Sequence, residues 1–291
     1  MKKLTAAMLI ITAAFFLGLG GVSKTLMADA STDENINKGA HLDIITLNKP
    51  QYEAVKSLVL DKHNVECMFK NNNEMKKFKY DEKTIKDLSS KNLLFYLGVG
   101  NENASVSDMI SKLDKSNLGV INLSRGIREL RYKDKYKDVQ NPYYYLGIPE
   151  YKIMLYNIKS ALQEKDPVNR GYYEENYNKV VEDIDKLKDN FINECKDLNK
   201  YNFILEDNNL EYFFRGLGIE YSVLPKDKGL KNYIKENKID TKNLIFVQDK
   251  KSKNEVKGIK TVKLEVYNDN KSFKEEIGYN INKLKELIKN K

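Results

Sequence analysis

Eight short runs rich in branched and aromatic residues constrain this chain most, and they fall in two groups of four. The first group covers residues 42–47, 65–69, 93–97 and 119–123; the second covers 201–205, 221–224, 244–247 and 262–266. Apolar runs of this length, separated by amphipathic helical stretches, are strands of parallel sheets covered on both faces. Between the groups, residues 124–200 carry no strand signal of this kind. The alternation is therefore α/β, with two lobes of mainly parallel four-stranded sheet joined by helix. Within the joining stretch, residues 150–163 read as one helix, with Ile153, Met154, Asn157, Ile158, Ala161 and Leu162 on related faces. Asp166 suits an N-cap and Pro167 a first helical position, after which Tyr173, Tyr177, Val180, Ile184, Leu187, Phe191 and Leu198 recur at spacings of three, four and seven. A helix of about thirty residues would be roughly 45 Å long, enough to run along both lobes. The stripe is read as core-facing, and with no sustained heptad seam the protein is expected to be a monomer.

The chain starts with an export signal. Lys2 and Lys3 form a basic region, residues 4–19 are almost unbroken apolar sequence, and Ala28-Asp29-Ala30 offers a small-x-small cleavage site. Residues 1–30 are thus a signal peptide or, uncleaved, an N-terminal anchor and the one route to a membrane. No cysteine lies at this boundary for lipid attachment, so the product is expected to be secreted or held at the cell surface. The remaining expected boundaries are a polar leader at 31–41, an N-terminal lobe at 42–165, the connecting helix at 166–199 and a C-terminal lobe at 200–291. Cleavage removes three lysines and one aspartate, lowering the net charge from +8 to +6.

Composition excludes several functions. His41 and His63 are the only histidines, Cys67 and Cys195 the only cysteines, and no tryptophan occurs. A His- or Cys-rich zinc site and a disulfide-stapled scaffold are excluded, and no nucleophile–base pair presents itself, so an enzyme is not expected. Cys67 and Cys195 are either one disulfide or two buried thiols. Both histidines sit where chain enters a strand, positions that read as exposed or structural. The positive charge is interleaved with acids along the chain and only five basic residues are arginine, which argues against nucleic acid. Attraction to a wall or to anionic lipid suits the charge better. The glycines of LGVGN at 97–101 read as a strand-end turn, since no phosphate-binding fingerprint follows.

Residues 141–190 carry a specific resemblance. Asp166-Pro167, Asn169, Tyr172, Tyr173 and Asn176 follow a helix and precede the long amphipathic segment, VINLSRGI occupies 120–127, LEYFFRGLGIE 210–220 and LIFVQ 244–248. Together these resemble the extracytoplasmic solute-binding proteins of zinc and manganese ABC transporters. The resemblance implies two α/β lobes bridged by one rigid backbone helix, a ligand cleft between them, and an ABC permease as partner.

It also implies a metal site of three histidines and one carboxylate, and here the chain departs from the pattern. NEMKKF, matched to a Glu-Pro-His-x-Tyr/Phe motif, keeps Glu74 and Phe78 but places Lys76 at the first histidine. NPYYYLG, matched to Asp-Pro-His-x-Trp-Leu, places Tyr143 at the second histidine, Tyr145 at the tryptophan and Asn141 at the aspartate. Counting back from Tyr212 places Asp207 at the third, and the carboxylate after the last strand falls at Glu265. An ammonium cannot ligate a metal at neutral pH, and a phenol is a poor ligand until it ionises near pH 10. Neither zinc nor manganese is therefore expected to bind in the usual way. Lys76 in the place of the cation would find Asp207 and Glu265 as partners and latch the lobes. Tyr143, Tyr144 and Tyr145, with Asn141, Asn208 and Asn209 nearby, read either as packing and cleft wall or as a polar-aromatic cleft for a small organic ligand. Two functions follow: a solute-binding protein with a lost or repurposed metal site, or a surface adhesin or envelope interaction protein on the same scaffold.

Overall fold

The computed structural model describes residues 41–99, 104–134, 137–267 and 271–289. The export signal, and the polar leader except for its last residue, lie outside the described residues. In the first lobe, β1 (Asp43–Thr46), β2 (Asn64–Cys67), β3 (Leu93–Tyr96) and β4 (Gly119–Asn122) form an all-parallel sheet in the order β2-β1-β3-β4. In the second, β7 (Asn202–Leu205), β8 (Tyr221–Val223), β9 (Leu244–Asp249) and β10 (Lys260–Leu264) form a parallel sheet in the order β10-β9-β7-β8. All eight expected strands are present. A short antiparallel hairpin, β5 (Arg131–Asp134) with β6 (Lys137–Gln140), was not expected. Its sequence is mostly polar, with Tyr132 facing Val139 across the pair, and carries no apolar alternation.

Helices cover the sheets: α1 (Lys49–Val59), α2 (Asn72–Lys77), α3 (Glu82–Ser89) and α4 (Ala104–Lys112) in the first lobe, α5 (Ile148–Lys165) and α6 (Arg170–Glu194) between the sheets in sequence, and α7 (Glu211–Leu217), α8 (Leu230–Glu236) and α9 (Phe273–Lys289) in the second lobe. The turn from β1 into α1 is fixed by Gln51. Its buried Oε1 accepts from the backbone N–H groups of Leu47 (2.7 Å), which also reaches the Phe95 carbonyl (3.3 Å), and Asn48 (3.1 Å) at the helix start.

One apolar cluster runs unbroken from sheet to sheet. Ile44, Leu93 and Phe95 belong to it at one end and Phe203, Leu205 and Val247 at the other, connected by Tyr144, Leu146, Ile148, Tyr151 and Leu155. Helix α6 seals one side with Tyr173, Ile184 and Phe191, all essentially buried, while Tyr177, Val180 and Leu187 pack at the margin. The stripe predicted for this helix is therefore core-facing.

The helix starts later than predicted. Residues Pro167–Asn169 form a 3-10 turn, α6 begins at Arg170, and Asp166 makes no capping bond to the backbone that follows. Its carboxylate is instead buried, where Oδ2 accepts from Tyr173 Oη (2.6 Å) and Asn169 Nδ2 (2.8 Å). Tyr173 Oη also meets His63 Nε2, and the Leu42 N–H donates to His63 Nδ1 (3.3 Å). An acceptor role for Nδ1 fixes the neutral tautomer with the proton on Nε2, so the proton chain runs His63 to Tyr173 to Asp166. His63 and Asp166 side chains are 0% and 1% exposed, which closes this relay to any substrate. His41 is exposed, 6.1 Å from the His63 ring between centroids. Cys67 and Cys195 are both thiols.

Burial holds the His63 imidazole below its ordinary titration range, against a smaller opposing pull from Asp166. The unfolded chain therefore takes up a proton near pH 6.5 that the folded chain still refuses. Stability should be flat above about pH 7.5 and fall as pH drops below about 6.5. Thermal unfolding between pH 7.5 and 5.5 should show this loss, and His63→Gln should flatten it. Tyr173→Phe removes the partner of His63 Nε2 and one of the two donors to Asp166 Oδ2, and should cost about 1–3 kcal/mol in urea unfolding at neutral pH.

Candidate functional site

Residues 128–134 and 137–150 belong to a strap that crosses from the first sheet to the second, and hydrogen bonds tie it to both. The Leu130 N–H donates to Tyr212 Oη (2.7 Å) and Asn141 Nδ2 to the Asn208 carbonyl (2.6 Å), both on the second lobe. Tyr144 Oη reaches the Leu97 carbonyl of the first lobe (3.1 Å). Arg215 of α7 pairs with the buried Glu150 of α5 at 2.8 Å. At Gly216, an added Cβ would come within 2.9 Å of the Ile148 backbone nitrogen, so only glycine lets α7 approach the start of α5 this closely.

The positions singled out in the sequence fall into separate places on this frame. Tyr143 is half-buried, and burial first, then the neighbouring Asp207 and Asp249 charges, push its phenol above the ordinary value. Asp207 is likewise pushed up by burial and by Glu206 and Asp249, against the lowering effect of its bond from Asn209. Both its carboxylate oxygens are employed locally, accepting from Asn209 N (2.8 Å) and Asn209 Nδ2 (2.9 Å). Tyr143, Asp207, Asn141 and Asn208 are thus brought together at the ends of β7 and β9.

Tyr144 is fully buried and belongs to the core rather than to the cleft wall. Glu265 is 3% exposed and held by two ammonium groups, Lys250 (2.7 Å) and Lys271 (2.6 Å), both from its own lobe. The latch expected between Lys76 and Glu265 is therefore not the pairing the structure contains. Lys76 is exposed on α2 because the preceding residue, Met75, takes the inward position at 3% exposure. A helix turns about 100° per residue, so Met75 and Lys76 cannot face the same way. Glu74 is exposed too and accepts from the Lys70 N–H at 2.8 Å.

Tyr145 stands apart from its two neighbours. It is 6% exposed and lines a small cavity of about 20 Å³ between the lobes, with Glu53 of α1, Tyr151 of α5, and Tyr267, Phe273 and Glu276 of the second lobe. Burial and the nearby Glu276 charge push the Tyr145 phenol well above its ordinary value. Phe273 lies flat on Tyr151, with centroids 3.5 Å apart and planes 7° from parallel. On the far side of this stack is a larger space of about 350 Å³ against α6, also bounded by Glu53, Tyr151 and Phe273. Sequence reasoning missed Glu53, Tyr151, Tyr267, Phe273 and Glu276. The nearest signal was Tyr267, two residues beyond Glu265 in the loop after β10.

Two parallel α/β lobes, a strap and a long helix enclose an interlobe space lined by tyrosines and carboxylates. The family described as zinc-uptake complex component A, periplasmic, matches residues 44–284, and the chain belongs to it. Among curated relatives, the manganese ABC transporter substrate-binding lipoprotein PsaA of Streptococcus mitis is 25% identical over 203 residues, 67% of this chain and 65% of the relative. The manganese ABC transporter substrate-binding lipoprotein scaA of Streptococcus gordonii is 26% identical over 192 residues, 64% of this chain and 59% of the relative. The chain thus spans less than two thirds of the length of either. Among solved structures, the solute-binding protein FpvC of Pseudomonas aeruginosa in complex with Mn2+ superposes with a TM-score of 0.71 at 18% identity, covering 86% of this chain and 99% of that one. A mutant of the laminin-binding adhesin Lmb of Streptococcus agalactiae superposes at 0.65 and 16% identity, covering 85% and 99%. These likenesses establish the fold.

Two substitutions separate the cleft positions by consequence. Lys76→Ala should leave stability unchanged to within about 0.5 kcal/mol, because an exposed side chain is removed. Glu265→Gln should cost about 1–2 kcal/mol, because two lysines lose the buried anion that orders them. Urea unfolding at neutral pH checks both.

Proposed function

We propose that this chain is an exported solute-binding protein of the metal-uptake family whose histidine-built metal site has been lost or repurposed. The observation that carries this reading is where the histidines are. His41 precedes β1 and His63 precedes β2, so both stand at the entry ends of parallel strands, and His63 is committed to Tyr173. Ligands of α/β sheets are held beyond the opposite, carboxyl ends of the strands. The positions matched to the family's ligands hold an ammonium, a phenol and two carboxylates, with the ammonium of Lys76 exposed on α2 and the carboxylates engaged by Asn209 and by two lysines. Such a set is a poor home for a borderline-soft divalent cation.

Export is read from the basic and apolar character of residues 1–30 and is supported by the lipoproteins among the relatives. An ABC permease with its ATPase is the corresponding partner. A second reading, an envelope interaction protein or adhesin, is favoured by the distribution of charge. Residues 244–291 carry twelve lysines against seven acids, nearly the whole positive excess left after the leader is removed. In that reading, variants at Tyr143 and Asp207 leave surface binding intact.

Titration of the purified, chelator-treated protein with Zn2+ and Mn2+ by calorimetry tests the leading proposal. The expected result is no binding tighter than about 10 µM, weaker than about −7 kcal/mol. Stoichiometric metal retained through purification, or submicromolar affinity, overturns it.

A further inference from the structure

The interlobe cavity has a composition that selects for one kind of ligand. Its walls are the rings of Tyr145, Tyr151, Tyr267 and Phe273, and its carboxylates are Glu53 and Glu276. Aromatic faces carry negative potential, and a desolvated ring beside a carboxylate is the standard chemistry for holding an organic cation. Two lysines also border the space, and each is engaged by a carboxylate, so that Lys49 offsets the charge of Glu53 and Lys271 that of Glu265. Lys49 Nζ sits on Glu53 (2.7 Å) and over the Tyr52 ring (4.6 Å). Lys271 Nζ sits on Glu265 (2.6 Å) and over the Tyr279 ring (4.0 Å). Glu276, 5% exposed, places its carboxylate near the Tyr145 phenol, inside the lining.

At about 20 Å³ the cavity offers roughly one water's worth of space, so a ligand larger than water requires a wall to move. Phe273 is that wall. It separates this cavity from the outer space of about 350 Å³, which is large enough to receive its ring. Its parallel, face-on contact with Tyr151 is the arrangement that ring quadrupoles favour least, so little is lost when the stack opens.

We propose that the cleft takes a small quaternary or alkyl ammonium compound, caged by Tyr145, Tyr151 and Tyr267 against Glu276, with Phe273 as the door. This rests on the reading that the metal site has been repurposed. Rather than a metal ion coordinated by side-chain donors, the cage would hold a cation that needs no coordination bonds.

The test is calorimetry of the purified chain with choline and, separately, with its neutral carbon isostere 3,3-dimethylbutan-1-ol, at matched ionic strength. Choline should bind at least about tenfold more tightly than the alcohol. Glu276→Gln and Tyr267→Leu, checked for folding by circular dichroism, should each weaken choline binding about tenfold; the second serves if the first does not fold. Equal affinity for choline and the alcohol overturns the proposal, because it makes the cavity merely apolar. No binding of choline also overturns it, yet leaves the repurposed-site reading intact if Zn2+ and Mn2+ fail to bind as well. Tight metal binding overturns both.

Discussion

The shared apolar core is the constraint on which the rest depends. Because one cluster runs from Ile44 and Phe95 through Tyr144, Ile148 and Tyr151 to Phe203 and Val247, the lobes are not two bodies on a tether. Separating them would expose part of that cluster, at roughly 25 cal/mol for every Å² uncovered. Helix α6 adds a second restraint by packing its stripe along the same core. Opening of the interlobe space is therefore a matter of side chains and small shears rather than wide hinge motion.

This restraint explains why polar contacts gather on the strap. Outside the β5–β6 ladder the strap has no strand to pair with, and it is tied to the lobes by one backbone N–H and by side chains. Leu130 uses Tyr212, Asn141 uses Asn208, and Tyr144 spends its hydroxyl on Leu97. Of three consecutive tyrosines, one is structural, one faces acids at the ends of β7 and β9, and one lines the cavity. A run that looks uniform in sequence is divided among three jobs by the geometry of one 3-10 turn, Tyr143–Leu146.

The eight strands were legible because sheets covered on both faces demand continuous apolar runs, and nothing else in so polar a chain produces them. The β5–β6 hairpin was not, since its stability comes from backbone pairing and its side chains carry no period. Asp166 was misjudged because the residue that claims it, Tyr173, competes with a local cap, and the third partner, His63, lies 110 positions from Tyr173. At the site, matching positions to a family pattern singled out Lys76, Tyr143, Asp207 and Glu265 but could not say which way a side chain points. Met75 takes the inward position that would have brought Lys76 inside, and Glu265 is drawn to lysines of its own lobe. Glu276 and Phe273 arrive from the start of α9, where no motif marks them.

The neighbouring histidines give this chain an internal reference. With both imidazoles on one side of the first lobe, their ring protons form a magnetic-resonance signature of that corner alone. Resonances from His41 and His63 report whether the first lobe is folded, while the assigned ring signals of Tyr145, Tyr151 and Tyr267 report the cleft. The two regions can be followed in one spectrum, so a ligand that shifts the second set and leaves the first in place has entered between the lobes without disturbing the fold that holds them.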